Sequence, residues 1–192
     1  MTEPILTERP TRQIWQTRDM AKELELRRHT DNDGDVLTSE GVTAALEIGR
    51  SLRGKYEFLA SSGAQRATQT AACFVAGLGQ KVPGGVIVEE RLRSDREEEW
   101  RAAYSRAGAG NLKALEGADS DLVSADSADL ADGLRRLFER LNDGERALAV
   151  GHSPTNEAAV LGLTGDYIDP LGRGEGVSVI EDRGEYRVVA ID

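Results

Sequence analysis

A single cysteine, Cys73, is the whole thiol complement of this 192-residue chain, so no internal disulfide can staple it. A lone thiol suits a reducing compartment, and the cytoplasm is the expected address. Cys73 lies in Ala71-Ala72-Cys73-Phe74-Val75 and reads as a small buried hydrophobe. Long apolar runs are missing too: nothing approaches the roughly 18 residues of a membrane span, and Met1 to Asp19 lacks the basic-then-apolar order of a signal peptide. No membrane partner is expected. Positive charge is in deficit, with 24 Lys and Arg against 34 Asp and Glu. The resulting net charge of −10 argues against nucleic acid, whose binding rests on neutralising phosphates with basic patches. Histidine is scarcest of all at two residues, and with one cysteine this leaves no zinc constellation. The loop Asp31-Asn32-Asp33-Gly34-Asp35 resembles a calcium loop only in its carboxylates. An EF-hand needs glycine sixth and glutamate twelfth, where Val36 and Val42 stand. Neither metal nor cofactor is expected.

What is present is an alternation of strand and helix patterns. Apolar runs predict strands near 23–28, 57–61, 86–88, 146–150, 176–181 and 185–191, the last two joined by a turn at Asp182-Arg183-Gly184. Helical spacing predicts helices near 39–53, 64–78 and 129–141, and another opening at Ser153-Pro154. Thr38 is the expected N-cap of the first helix, and Ser153 with Pro154 the expected start of the last. Val42, Ala45, Leu46, Gly49 and Leu52 mark the inner face of the first helix. This order implies an α/β protein: a three-layer α/β/α sandwich around a mostly parallel sheet, in a single domain over 1–192. Residues 1–20 read as a tail or edge segment, and about 91–126 as an insertion or lid.

The two histidines, His29 and His152, each follow a predicted strand directly. Arg28 precedes the first, and a third strand runs into Ser61-Ser62-Gly63-Ala64-Gln65-Arg66. The carboxyl ends of strands are where ligands bind in open α/β sheets. Two imidazoles and two guanidiniums gathered there suggest a site for a phosphoryl group. Arg27, alternating to the opposite face from Arg28, reads as structural.

Four segments carry a resemblance. Arg28-His29-Thr30 stands where one family has Arg-His-Gly, and Leu37-Thr38-Ser39-Glu40-Gly41 matches its Leu-Thr-x-x-Gly. Ser62 to Ala71 matches Ser-x-x-x-Arg-Ala-x-Gln-Thr-Ala, and Gly151-His152-Ser153 supplies the second histidine. In this order, over about residues 23–163, the chain resembles the histidine phosphatase superfamily, the phosphoglycerate-mutase-like fold. The resemblance implies that His29 attacks phosphorus and forms phosphohistidine, which water then hydrolyses. It implies that Arg28 and Arg66 clamp the phosphoryl oxygens, a task suited to a planar fork that never deprotonates, and that His152 holds the equatorial oxygens. Backbone donors at the helix starts near Ser62 and Ser153 would add to the clamp. The implied activity is a metal-independent phosphatase acting on a phosphorylated small molecule or phosphoprotein. The alternatives are a phosphoglycerate-mutase-like phosphotransferase and a catalytically impaired phospholigand-binding module.

Two departures bear on that reading. Thr30 replaces the usual glycine, where it would either crowd the site or lend a hydroxyl. In Leu92-Arg93-Ser94-Asp95-Arg96-Glu97, serine occupies the place of the family's glutamate acid. Asp95 is then the first candidate for general acid and Glu97 the second. The carboxylates of the Asp31–Asp35 loop and of 95–126 predict a mouth that disfavours polyanions over neutral or cationic leaving groups.

Overall fold

Strand β1 (Lys22–Arg28) turns Leu24 and Leu26 to one side and Glu25 and Arg27 to the other. Its neighbour β6 (Arg146–Gly151) does the same with Ala147 and Ala149 against Leu148 and Val150. With Leu59, Leu148 and Val150 on that second side, the centre of the sheet is apolar on both faces and must be covered on both. The computed structural model describes residues 21–191, and the expected tail over 1–20 lies outside them.

The chain order is β1, a two-residue hairpin of β2 (Asn32–Asp33) and β3 (Val36–Leu37), α1 (Ser39–Ser51), β4 (Leu59–Ser61), α2 (Gln65–Leu78) and β5 (Val86–Val88). A 3-10 turn at Glu90–Leu92 leads into α3 (Glu97–Ala107), α4 (Leu112–Ala118), α5 (Ser120–Glu139), β6, α6 (Thr155–Thr164), β7 (Gly176–Asp182) and β8 (Glu185–Ala190). The six-stranded sheet runs β5-β4-β6-β1-β7-β8. Its first four strands are parallel, and β7 and β8 are antiparallel. Helices α1 and α2 cover one face through Ala45, Ala67, Ala71 and Phe74. Helices α3 to α6 cover the other through Trp100, Leu115, Leu130, Leu134 and Val160. The expected three-layer sandwich is the observed one. Each fully buried leucine in it contributes about 1.5–3 kcal/mol relative to exposure.

Local chemistry accounts for the element ends. Thr38 caps α1 as its side chain accepts from Gly41 N at 3.0 Å. Gly41 itself seats against the Asp31 carbonyl, where any side chain would collide, which gives the Leu-Thr-x-x-Gly motif its physical content. The β7–β8 hairpin closes on Arg183 and Gly184, with φ of 56° and 86°, the pair of left-handed residues that a two-residue turn requires.

Three expectations need correction. Val42 points outward at 38% exposure rather than into the core. Helix α5 starts at Ser120 and not near 129. Its inner face includes Asp126, buried and accepting a hydrogen bond from the Trp100 indole at 2.5 Å, and this polar residue breaks the apolar period that sequence reading relies on. Helix α6 starts at Thr155, after a cis Ser153-Pro154 bond, so Ser153 is no N-cap; its hydroxyl donates instead to Glu157 at 2.6 Å. Within the expected insertion, Trp100, Ala103, Leu112 and Leu115 pack into the main core. Cys73 is half-buried on α2, and burial raises its thiol pKa, which disfavours the reactive thiolate.

Candidate active site

Because β1, β4 and β6 are parallel neighbours, their carboxyl ends meet at one edge. Backbone bonds set the register there: His29 N donates to Gly151 O at 3.1 Å, and Ser62 N to Val150 O at 3.1 Å. His29, Ser62 and His152 therefore emerge side by side, and the two imidazole centroids lie 5.2 Å apart. Arg66, in the first turn of α2, reaches both rings.

The hydrogen bonds define the tautomers. His29 Nδ1 is 2.7 Å from the Thr30 carbonyl, which only accepts, so Nδ1 carries the proton. Nε2 keeps its lone pair and receives Arg66 Nε–H at 3.3 Å. At His152, Nδ1 accepts from Arg66 Nη2 at 3.2 Å, so the ring proton is on Nε2, which bonds the Ser62 hydroxyl at 2.7 Å. Both rings are buried. Burial lowers the His29 pKa to about 4, its Thr30 bond opposes this, and Arg66, Arg28 and Arg173 lower it further. Burial and then Arg66 lower that of His152 to about 3. Both imidazoles are neutral at physiological pH, the state in which imidazole is a nucleophile.

These shifts link the site to stability. A histidine with a depressed folded-state pKa leaves stability unchanged above its unfolded value, here 6.5. Below it the unfolded chain takes up protons that the folded site refuses. Stability is therefore expected to fall as pH drops from about 6.5 toward 4. Urea midpoints between pH 8 and 4 measure this, with a shallower fall in His152→Asn. Identical slopes in the two proteins would rule out the contribution of His152.

The remaining sequence candidates are placed as follows. Arg28 donates through Nη1 to the Leu171 carbonyl at 2.9 Å, while its buried Nε has no protein partner among the described residues. Thr30 is buried, and its hydroxyl donates to Gly41 O at 2.9 Å between α1 and α2. It therefore neither crowds the candidate site nor lends it a hydroxyl. Arg27 binds Glu25 at 2.5 Å and Gly174 O at 2.8 Å, a structural place. Asp95 is exposed on a cleft of ≈ 690 Å³ that it shares with Ser62, Gly63, Arg93 and Ser94. Glu97 is tied to Arg93 at 2.6 Å and Arg101 at 3.5 Å.

Three residues at this edge, Arg173, Arg93 and Glu157, escape sequence reading, as does the pairing of Asp35, a residue expected at the mouth. Asp35 pairs with Arg66 at 2.7 Å and also accepts the Gln65 amide at 3.1 Å, so the N-terminus of α2 is not an open donor set. Arg173 pairs with Asp31 near His29. Arg93 contributes to the field on His152. Glu157 is buried and holds the Leu171 amide at 2.7 Å, the same residue whose carbonyl receives Arg28. Burial raises the pKa of its carboxyl. Of the mouth carboxylates, Asp31, Asp35 and Glu97 are paired with arginines.

No protein-family model matches the chain, and neither does any curated protein sequence. Solved structures do match. A phosphoglycerate mutase from Bacillus anthracis superposes with a TM-score of 0.63 at 17% identity, over 91% of this chain and 94% of its own. A phosphoserine phosphatase from Entamoeba histolytica, solved with 3-phosphoglyceric acid, gives 0.66 at 20% identity, over 88% and 95%. The protein histidine phosphatase SixA, complexed with tungstate, gives 0.56 at 19% identity, over 87% and 94%. The chain has the phosphoglycerate-mutase-like fold. Within that fold the paired histidines and Arg66 occupy the carboxyl edge of the parallel strands, where an α/β sheet presents its ligand site. Among the described residues no group of three or more His, Cys, Asp and Glu is placed to hold a metal ion, and no helix is long and apolar enough to cross a membrane.

Proposed function

We propose that the protein is a metal-independent phosphatase that hydrolyses phosphomonoesters or phosphoramidates through a phosphohistidine on His29. The observation that carries this reading is the locked His29 tautomer, whose Nε2 lone pair faces the guanidinium bridging to His152. In the first step Nε2 attacks phosphorus as the bond from phosphorus to the leaving oxygen or nitrogen breaks. Arg28 and Arg66 draw charge from the phosphoryl oxygens, and His152 donates to them. Losing one such donor typically costs about 3 kcal/mol of transition-state stabilisation. In the second step water attacks the phosphohistidine, phosphate departs, and Nε2 regains its lone pair. Hydrolysis of a generic aryl phosphate tests the reading; a phospholigand-binding module would give none above background.

Asp95 is the proposed donor of the proton to the leaving oxygen and its acceptor from the attacking water. The support is its position on the cleft that opens beside Ser62, whereas Glu97 is held by two arginines. Asp95→Asn is expected to slow esters with poor leaving groups roughly 10²-fold or more, while aryl phosphates, which depart without protonation, change little. Equal slowing of both classes would mean that Asp95 positions substrate and transfers no proton.

A further inference from the structure

Arg66 uses all three of its guanidinium nitrogens within the protein: Nε on His29 at 3.3 Å, Nη2 on His152 at 3.2 Å and Nη1 on Asp35 at 2.7 Å. The first of these contacts occupies the lone pair that must reach phosphorus. Arg66 must therefore give up at least that bond before His29 can react, and the shortest of the three contacts, to Asp35, is the one that anchors it. Asp35 does more than pair with the guanidinium. Its two oxygens also accept the Gln65 amide at 3.1 Å and the Arg66 amide at 3.5 Å, although it belongs to a different element. The N-cap residue Ala64 offers α2 no side-chain bond, so this borrowed carboxylate is the helix's side-chain cap. A guanidinium together with helix-terminal amides is a donor set that suits a phosphoryl group.

We propose that Asp35 sets the affinity of the site for phosphate: its carboxylate stands in for the phosphoryl group on Arg66, and the substrate binds by exchanging with it. The inference rests on the phosphatase reading above and adds an internal competitor to it. The local build supports an exchange. Asp35 and Gly34 form the apex of the β2–β3 hairpin, with Gly34 at φ +57°. The hairpin is pinned at its base, where Leu37 N donates to Gln69 at 2.9 Å and the Thr38 hydroxyl to Asp31 at 2.8 Å. Asp31 is held in turn by Arg173. The base fixes where the apex presents its carboxylate, while the carboxylate itself is half exposed. A half-exposed pair is weak and screened by salt, so a phosphoryl dianion with more charge and more oxygens displaces it. Product phosphate leaves by the reverse exchange, and the returning carboxylate keeps an emptied pocket from retaining product.

The test is Asp35→Asn, which keeps an oxygen to cap α2 but loses the charge. Inorganic phosphate, titrated calorimetrically into the full chain at low salt, is expected to bind the variant roughly three- to tenfold more tightly than the wild type. KM for an aryl phosphate should fall by a similar factor with no gain in kcat, and the difference should shrink as salt is raised. Phosphate binding that is unchanged or weaker in a folded Asp35→Asn, with loss of kcat, would overturn the proposal and make Asp35 a brace that holds Arg66 in its working position. Asp35→Ala, read by thermal melting, separates out the capping role, because only that variant removes both the charge and the cap. A wild-type chain that neither binds phosphate nor turns over aryl phosphate would defeat the phosphatase reading itself, whatever the Asp35 variant does.

Discussion

Replacing His29 with alanine is expected to remove measurable turnover and leave the fold intact. The side chain lies at the end of β1, and its hydrogen bonds go to its own neighbour's carbonyl and to Arg66, not to either apolar core. Its loss therefore leaves both faces of the sheet packed. It also removes the proposed nucleophile, and a two-step route through His29 cannot survive that loss. Circular dichroism should match the wild type, while steady-state hydrolysis of an aryl phosphate falls to background. A folded His29→Ala that keeps more than about a tenth of the wild-type rate would reject His29 as nucleophile.

The second large effect belongs to Arg66. It touches both histidines and is the largest electrostatic influence from a neighbouring side chain on each of them. Arg66→Ala is expected to lower kcat/KM by roughly 10²–10³-fold, the usual cost of removing a donor aimed at developing charge. Arg66→Lys should recover little, because a single ammonium cannot present the planar fork that pairs with two phosphoryl oxygens. The variant should also change the pH profile in a defined direction. In the wild type the acid limb of kcat/KM contributed by His29 is expected near pH 4. Without the Arg66 cation the imidazolium is less disfavoured, so that limb moves up toward the ordinary histidine value of 6.5. An Arg66→Ala variant with unchanged kcat/KM and an unmoved acid limb would remove Arg66 from the site.

The parts of this molecule that are governed by local periodicity could be read from the sequence. The alternation of Leu24 and Leu26 against Glu25 and Arg27, the Thr38 cap and the Arg183-Gly184 turn each follow from two to seven neighbouring residues. His29 and His152 could be read because each directly follows a strand, and strand order then brings them together. The partners supplied from elsewhere could not be read. Asp35 caps a helix that starts 30 residues later, and Glu157, 129 positions beyond Arg28, shares Leu171 with it, one holding the amide and the other the carbonyl. Arg173 sits between two glycines before β7, a context that gives a sequence reader no reason to place it beside His29. In the 31–35 loop the sign of the carboxylates is visible in sequence, and the arginine partners of Asp31 and Asp35 are not. Sequence periodicity starts helix α5 too late for a related reason: Asp126 breaks the apolar pattern, and its indole partner Trp100 is 26 residues away.

Trapping the covalent intermediate tests the central claim most directly. Rapid quench of the wild type with a phosphorylated substrate into alkali, where phosphohistidine survives, should leave one phosphoryl group per site. Mass spectrometry of the digest should place it on the peptide that carries His29. Phosphorus NMR should then assign it to Nε2, because Nδ1 holds the proton donated to the Thr30 carbonyl. The adduct should be absent in His29→Ala. Phosphorylation at Nδ1, on His152 or on any other residue, or turnover with no trapped adduct, would contradict the account.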